Sequence, residues 1–166
     1  NITRTPEGFL YGSEFTHEQL NAAVKMEDAY EGISSRDENG HGTFLASIAA
    51  GNELPDGSFT GAAPKADIAM VKLKPAKNRL RAYYQIKEDA VAYQENDIML
   101  GLRYLNDLAR KQGMPLVICV ALGTSFGGHN GDSIVSKEAS TATCDLSGTW
   151  NECWISSRWL ATCKNA

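Results

Sequence analysis

The sequence predicts an α/β fold in which a parallel β-sheet is flanked by helices in a three-layer α/β/α arrangement. Two apolar stretches, 66–73 and 116–122, predict strands, and an amphipathic helix is predicted over 97–112 between them. A strand, a helix and a second strand in this order form a right-handed crossover, which makes the two strands parallel. With 166 residues, the chain is long enough for one domain with its own hydrophobic core.

Each of these elements has its own pattern. The first stretch is apolar over most of its length, and the second reads Leu-Val-Ile-Cys-Val-Ala-Leu without interruption, as parallel strands covered on both faces do. One face of the predicted helix carries four apolar residues at helical spacing, Ile98, Leu102, Leu105 and Ala109. Gly113 ends that helix. Earlier in the chain, the capping-box spacing of Thr16 and Gln19 predicts a short helix to about Lys25.

Composition excludes several classes of function. The formal charge of −4 and the scattered basic residues argue against nucleic acid as a partner. No apolar run approaches the roughly 18 residues that span a bilayer, so no membrane is expected. The cysteines near the end have no CxxC spacing, and no cofactor or metal site is predicted. Cys119 is expected to be a buried free thiol, and the redox compartment stays open.

The stretch Asn39-Gly40-His41-Gly42-Thr43 carries the most chemical information, because it leads a polar loop into a helix of small residues that ends at Gly51. The positive end of a helix dipole favours the neutral imidazole, which is the form a general base needs. Flanking glycines leave room for a substrate to approach the ring. An isolated His-Gly pair, however, is more often an ordinary loop histidine.

A wider resemblance supports the catalytic interpretation. The segment 37–51, DENGHGTFLASIAAG, resembles the histidine motif of the subtilisin-like serine proteases (subtilases, peptidase S8 family). The segments GAAPKADIAMVKLK at 61–74 and PLVICVALGTSFGG at 115–128 resemble the next two motifs of that family, in the same order. The entry PEGFLYGSE and the loop LGTSFGGHNG look like the bacterial spore-germination branch. The resemblance implies a bacterial serine endopeptidase with a peptide or protein substrate; a secreted and a spore-associated location both stay open.

The resemblance also implies roles for individual residues. His41 would take a proton from a serine hydroxyl and return it to the leaving amine. The backbone of Ala121, Leu122 and Gly123 would bind a peptide substrate as an added strand.

Two residues of the following loop are expected to have no catalytic role. Ser125 stands in a Gly-Thr-Ser triplet, but the glycines that follow are unlike the surroundings of the family's nucleophile. His129 is expected at the surface near the cleft, and His17 is likewise expected to be exposed.

The chain departs from the family in its other triad residues. No Asp-x-Gly motif precedes His41, since Asp28 and Asp37 have the wrong neighbours, and the nucleophilic serine is expected beyond residue 166. We therefore expect an internal fragment that is inactive alone. The alternatives are a pseudoprotease of the same fold that acts by protein binding, and a non-functional gene remnant.

The end of the chain suggests a division at residue 135. Residues 1–135 are predicted to be a partial subtilase catalytic domain, and residues 136–166 a divergent or frameshifted tail. In place of the strand whose Ala-Gly-Asn helps bind the oxyanion, the tail is rich in tryptophan and cysteine. Read one nucleotide earlier, the codons for 155–162 can encode two apolar residues and Ala-Val-Ala-Gly-Asn. A native divergent tail is the alternative.

Overall fold

The computed structural model describes residues 4–123, 130–144, 153–155 and 161–163. The chain divides into two compact units, 1–62 and 63–166. The first unit contains helix α1 (His17–Val24), a 3₁₀ turn (Ala29–Glu31) and helix α2 (His41–Ala50). The second contains α3 (Asn78–Tyr83), α4 (Glu95–Gln112), α5 (Ile134–Cys144) and the strands β1 (Cys153–Ile155) and β2 (Ala161–Cys163).

The start of α1 confirms the predicted capping box. The Thr16 hydroxyl accepts a hydrogen bond from the Gln19 N–H over 3.4 Å, and the Gln19 side chain accepts one from the Thr16 N–H over 2.8 Å. The N–H groups of Thr16 and Gln19, at the start of the helix, thus have hydrogen-bond partners in nearby side chains. His17, the first residue of α1, is exposed, as predicted.

The C-terminal end of α2 packs against a backbone turn of the same unit. The Gly61 N–H donates to the Gly51 carbonyl over 2.9 Å, and the Ala62 N–H donates to the Ile48 carbonyl over 3.0 Å. A Cβ on Gly61 would overlap the backbone of Gly51, so only glycine allows this close approach. Gly51 ends the helix, as predicted.

Helix α4 organises the second unit, and its apolar face is the predicted one. Leu102 is 5% exposed and forms a buried cluster with Ile118, which is 6% exposed. Four partly buried apolar residues pack around this cluster, Ile98, Leu105, Leu116 and Ala139. The helix begins at Glu95, two residues before the predicted start, and ends at Gly113, whose φ of 65° lies in the left-handed region that suits glycine.

The parallel sheet predicted from the sequence is not formed by the described residues. Neither 66–73 nor 116–122 has a strand conformation, and the strands that are described, β1 and β2, pair antiparallel. Both predicted strands nevertheless contact α4: Ile118 through the buried cluster, and Val71 where a Cβ on Gly101 would lie 3.1 Å from its Cγ1. A strand is stabilised by a ladder of hydrogen bonds to a neighbour, and these segments have no such neighbour among the described residues.

Cys119 corrects a second prediction. It is a free cysteine, as expected, but it is exposed rather than buried. In a parallel strand covered on both faces its thiol would be enclosed, whereas the segment 116–122 has only one buried residue, Ile118.

The connection between Leu73 and α4 contains a short helix that the sequence did not predict. Helix α3 lies within it, and the Arg81 guanidinium donates to the carbonyls of Lys87, Glu88 and Ala90 over 2.6–3.0 Å. One arginine therefore joins three carbonyl groups of the loop that follows α3.

Candidate active site

The candidate site lies at the N-terminal end of α2, and His41 is the first residue of that helix. Its side chain is exposed, and glycine stands on each side of it. The N-cap residue, Gly40, has a φ of 80° and contributes no side-chain cap of its own. Apart from its two chain neighbours, no described residue has a heavy atom within 4 Å of the position that a Cβ on Gly40 would take, so the backbone conformation, and not crowding, favours glycine here.

Asp37 supplies the cap that Gly40 lacks. One carboxylate oxygen, Oδ1, accepts from the N–H groups of Asn39 and Gly40 over 3.1 and 2.8 Å. The other, Oδ2, accepts from the N–H and the hydroxyl of Thr43 over 3.0 and 2.6 Å. Thr43 is the third residue of α2, and its N–H is one of the groups that the helix itself cannot satisfy.

These bonds determine the charge state of the cap. The hydrogen bond from the Thr43 hydroxyl, followed by those from the N–H groups of Gly40 and Thr43, holds the pKa of the Asp37 carboxyl well below its ordinary value. Hydrogen bonds to the ionised form stabilise it, and a negative charge is also favourable at the positive end of the helix dipole. Asp37 is therefore a carboxylate throughout the physiological range.

The capping role of Asp37 does not follow from the usual sequence signals. The usual signal is a capping side chain at the N-cap itself, and here the cap comes from three positions further upstream. The signal that could have found it is the acidic residue just ahead of a helix start, with a threonine at the third helical position.

The second predicted part of the site, Ala121, Leu122 and Gly123, belongs to the second unit. Ala121 and Leu122 are partly buried, and Gly123 is exposed. None of the three is in a β-strand, in contrast to the predicted strand end. Ser125 and His129 lie outside the described residues.

Two further features are absent from the described residues. Within them, no group of three or more histidine, cysteine or acidic side chains is placed to hold a metal ion. Across the same residues, no helix has the length and hydropathy needed to cross a bilayer.

The chain is similar to known proteins in both sequence and structure. The sequence model of a family described as "Subtilase family" matches residues 11–156. A curated relative, the subtilisin-like protease SBT3.8 of Arabidopsis thaliana, is 39% identical over 72 residues, which are 39% of this chain and 9% of that protein. The solved structure of the Clostridium perfringens CspB protease is similar with a TM-score of 0.62 and 33% identity, over 76% of this chain and 25% of that one. The chain thus spans about a tenth of the curated relative and a quarter of the solved one.

Proposed function

Because the chain belongs to the subtilase family, we propose that it is part of a serine endopeptidase in which His41 is the general base. The observation that carries this proposal is the exposed imidazole at the first position of α2, between two glycines. A general base must come within hydrogen-bond reach of the hydroxyl that it deprotonates, and a ring enclosed by apolar packing could not do so.

The proposed reaction is hydrolysis of a peptide bond in two steps. His41 takes the proton of the nucleophilic serine as that serine attacks the scissile carbonyl, and it then gives the proton to the leaving amine. Water repeats the sequence on the acyl-enzyme. We assign the serine and the triad aspartate to parts of the protein other than this chain, which alone should not hydrolyse peptides. The capping bonds of Asp37 support this assignment, since a carboxylate that accepts four local hydrogen bonds is committed to the helix start.

Ala121, Leu122 and Gly123 are proposed to bind the substrate through their backbone. An extended peptide pairs with an exposed edge by main-chain hydrogen bonds, and side-chain pockets then select the residues on either side of the scissile bond. The exposed Gly123 is compatible with such close approach of a second backbone.

We place the protein in the bacterial branch that contains the spore-germination proteases, and regard this chain as an internal piece of it. The likeness to a clostridial protease supports that placement. The division into a catalytic part, 1–135, and a divergent or frameshifted tail, 136–166, stays part of the proposal. Sequencing the coding DNA tests the tail: a one-base shift that restores Ala-Gly-Asn supports the frameshift, and its absence supports a native tail.

The test of the activity is made on the complete open reading frame. We expect an upstream Asp-x-Gly and a downstream Gly-Thr-Ser, and cleavage of a casein substrate that falls by roughly 10⁶-fold in His41→Ala, the scale on which loss of a triad histidine lowers kcat. His17→Ala is the matched control, since His17 is also exposed and also begins a helix. If the reading frame lacks both motifs and His41→Ala changes nothing, the pseudoprotease alternative replaces the enzyme.

A further inference from the structure

The chain contains two Asn-Gly sequences, and one of them leads directly into His41. These are Asn39-Gly40 and Asn130-Gly131, and all four residues are exposed. Asn-Gly is the dipeptide most prone to spontaneous loss of the asparagine amide, because glycine has no side chain to hinder the approach of its nitrogen. Asparagine is accordingly counted among the thermolabile residues.

The reaction needs the glycine nitrogen as a nucleophile. That nitrogen loses its proton to solvent and attacks Cγ of the asparagine; the new N–Cγ bond forms as the C–N bond of the amide breaks and ammonia leaves. Water then opens the cyclic imide at either carbonyl, which gives aspartate or isoaspartate. The net change is one water consumed and one ammonia released, and no oxidant or reductant takes part.

At Asn39-Gly40 the structure opposes the first step. The Gly40 N–H donates to Asp37 Oδ1 over 2.8 Å, and the Asn39 N–H donates to the same oxygen over 3.1 Å. A proton in a hydrogen bond to a carboxylate is harder to remove, and the anion left behind would face a negative charge at close range. The two bonds also fix the backbone on both sides of the asparagine.

At Asn130-Gly131 the described hydrogen bonds involve the asparagine side chain and not the glycine nitrogen. The Asn130 side chain donates to the Asp132 carboxylate over 2.6 Å and accepts from the Asp132 N–H over 3.2 Å. In the described part of the chain, no carboxylate accepts from the Gly131 N–H. Among the described residues, a carboxylate therefore holds the attacking nitrogen at Asn39-Gly40 and none holds it at Asn130-Gly131.

We infer that Asp37 protects the Asn39-Gly40 peptide from conversion to aspartate or isoaspartate by holding the Gly40 N–H. Isoaspartate would route the main chain through one extra methylene two residues before His41, and either product would add a carboxylate beside Asp37. The protection concerns the chemistry of this chain and holds whether or not the proposed proteolytic function does.

The first experiment needs no variant. The chain is incubated in mildly alkaline buffer, once native and once in urea, and peptide mapping by mass spectrometry follows the change from amide to acid at each site. We expect Asn39 to react roughly tenfold more slowly in the native chain than in urea, the scale of one charge-assisted hydrogen bond, and Asn130 to be slowed less. Equal rates for Asn39 in the two conditions would overturn the inference.

Two variants distinguish protection by the Gly40–Asp37 hydrogen bond from protection by the general order of the loop. Asp37→Ala removes the acceptor, so Asn39 in the native chain should react about as fast as in urea. Thr43→Val removes the hydroxyl donor to Oδ2 but leaves Oδ1 to hold the Gly40 N–H, so Asn39 should stay slow. The assignment to this bond is contradicted if Thr43→Val speeds the reaction of Asn39 as much as Asp37→Ala does, or if Asp37→Ala does not speed it at all. The rate at Asn130 is the internal control in every variant.

Discussion

The Thr43 hydroxyl, in the first turn of α2, donates to the carboxylate of Asp37, in the loop before that helix, over 2.6 Å. With the N–H of the same threonine, it forms half of a cap that ties the loop ahead of His41 to the helix. Because the cap depends on the ionised carboxylate, the stability of this part of the chain should depend on pH.

Asp37→Asn tests that dependence. The pKa of the Asp37 carboxyl is lowered in the folded chain. Its contribution is therefore full above the unfolded-state value of about 3.9 and is lost as the pH falls from there through the folded-state value. We expect Asp37→Asn to unfold at a lower urea concentration than the native sequence at pH near 7, and the difference to shrink in acid.

Urea unfolding followed by circular dichroism across this pH range provides the measurement. Asp67→Asn is the control, since Asp67 is exposed and has no hydrogen bond among the described residues. A gap between Asp37→Asn and the native sequence that stays constant into acid would show that the charge of the cap does not matter.

Gly61→Ala tests the close approach of the backbone at the end of α2. The new Cβ would meet the backbone of Gly51, so we expect a loss of about 1–3 kcal/mol in the free energy of unfolding, as for other overpacked sites. Gly32→Ala is the matched control in the same unit: its Cβ would make ordinary contacts of 3.5 Å or more, and the change should stay under about 1 kcal/mol. Equal effects of the two substitutions would argue against the packing of 61 on 51.

Leu102→Ala tests the core of the second unit. Leu102 and Ile118 bury each other, and removal of the leucine side chain should lower the free energy of unfolding by about 2–5 kcal/mol. Val117→Ala, one residue from Ile118 but 66% exposed, should change it by less than about 0.5 kcal/mol. Chemical denaturation measures both variants, and a harmless Leu102→Ala would mean that this cluster is not the core.

Arg81→Ala tests the loop that follows α3. Without the guanidinium, the carbonyls of 87, 88 and 90 lose their common donor, and amide hydrogen exchange over 86–92 should accelerate by roughly tenfold. Arg81→Lys should be intermediate, because an ammonium lacks the planar fork that reaches several carbonyls at once. The neighbouring Arg79→Ala controls for loss of charge on the same helix and should leave exchange unchanged.

Helices α1, α2 and α4, which have local start or stop signals, were the part of the fold that the sequence predicted well. The face of α4 follows from the spacing of Leu102 and Ala109, and its end from Gly113, because these signals are local. The capping box of Thr16 and Gln19 is local in the same way.

The predicted strands depended on more than local pattern. The segments 66–73 and 116–122 are apolar enough for buried strands, but a strand also needs a neighbour to complete its hydrogen bonds, and the pattern of one segment cannot supply it. Helix α3 was missed for the opposite reason. It has six residues and a largely exposed surface, so it is too short to show a repeating apolar pattern. At the candidate site, the position of His41 was predicted, whereas the cap from Asp37 was not, because it acts from outside the usual capping position.

Every donor and acceptor of the α2 cap comes from one uninterrupted stretch of seven residues, 37–43. Closing so short a loop costs little chain entropy, and contacts between near neighbours form before distant ones. The backbone conformation at His41 therefore rests on bonds that close within this stretch, and no residue after Thr43 takes part in them.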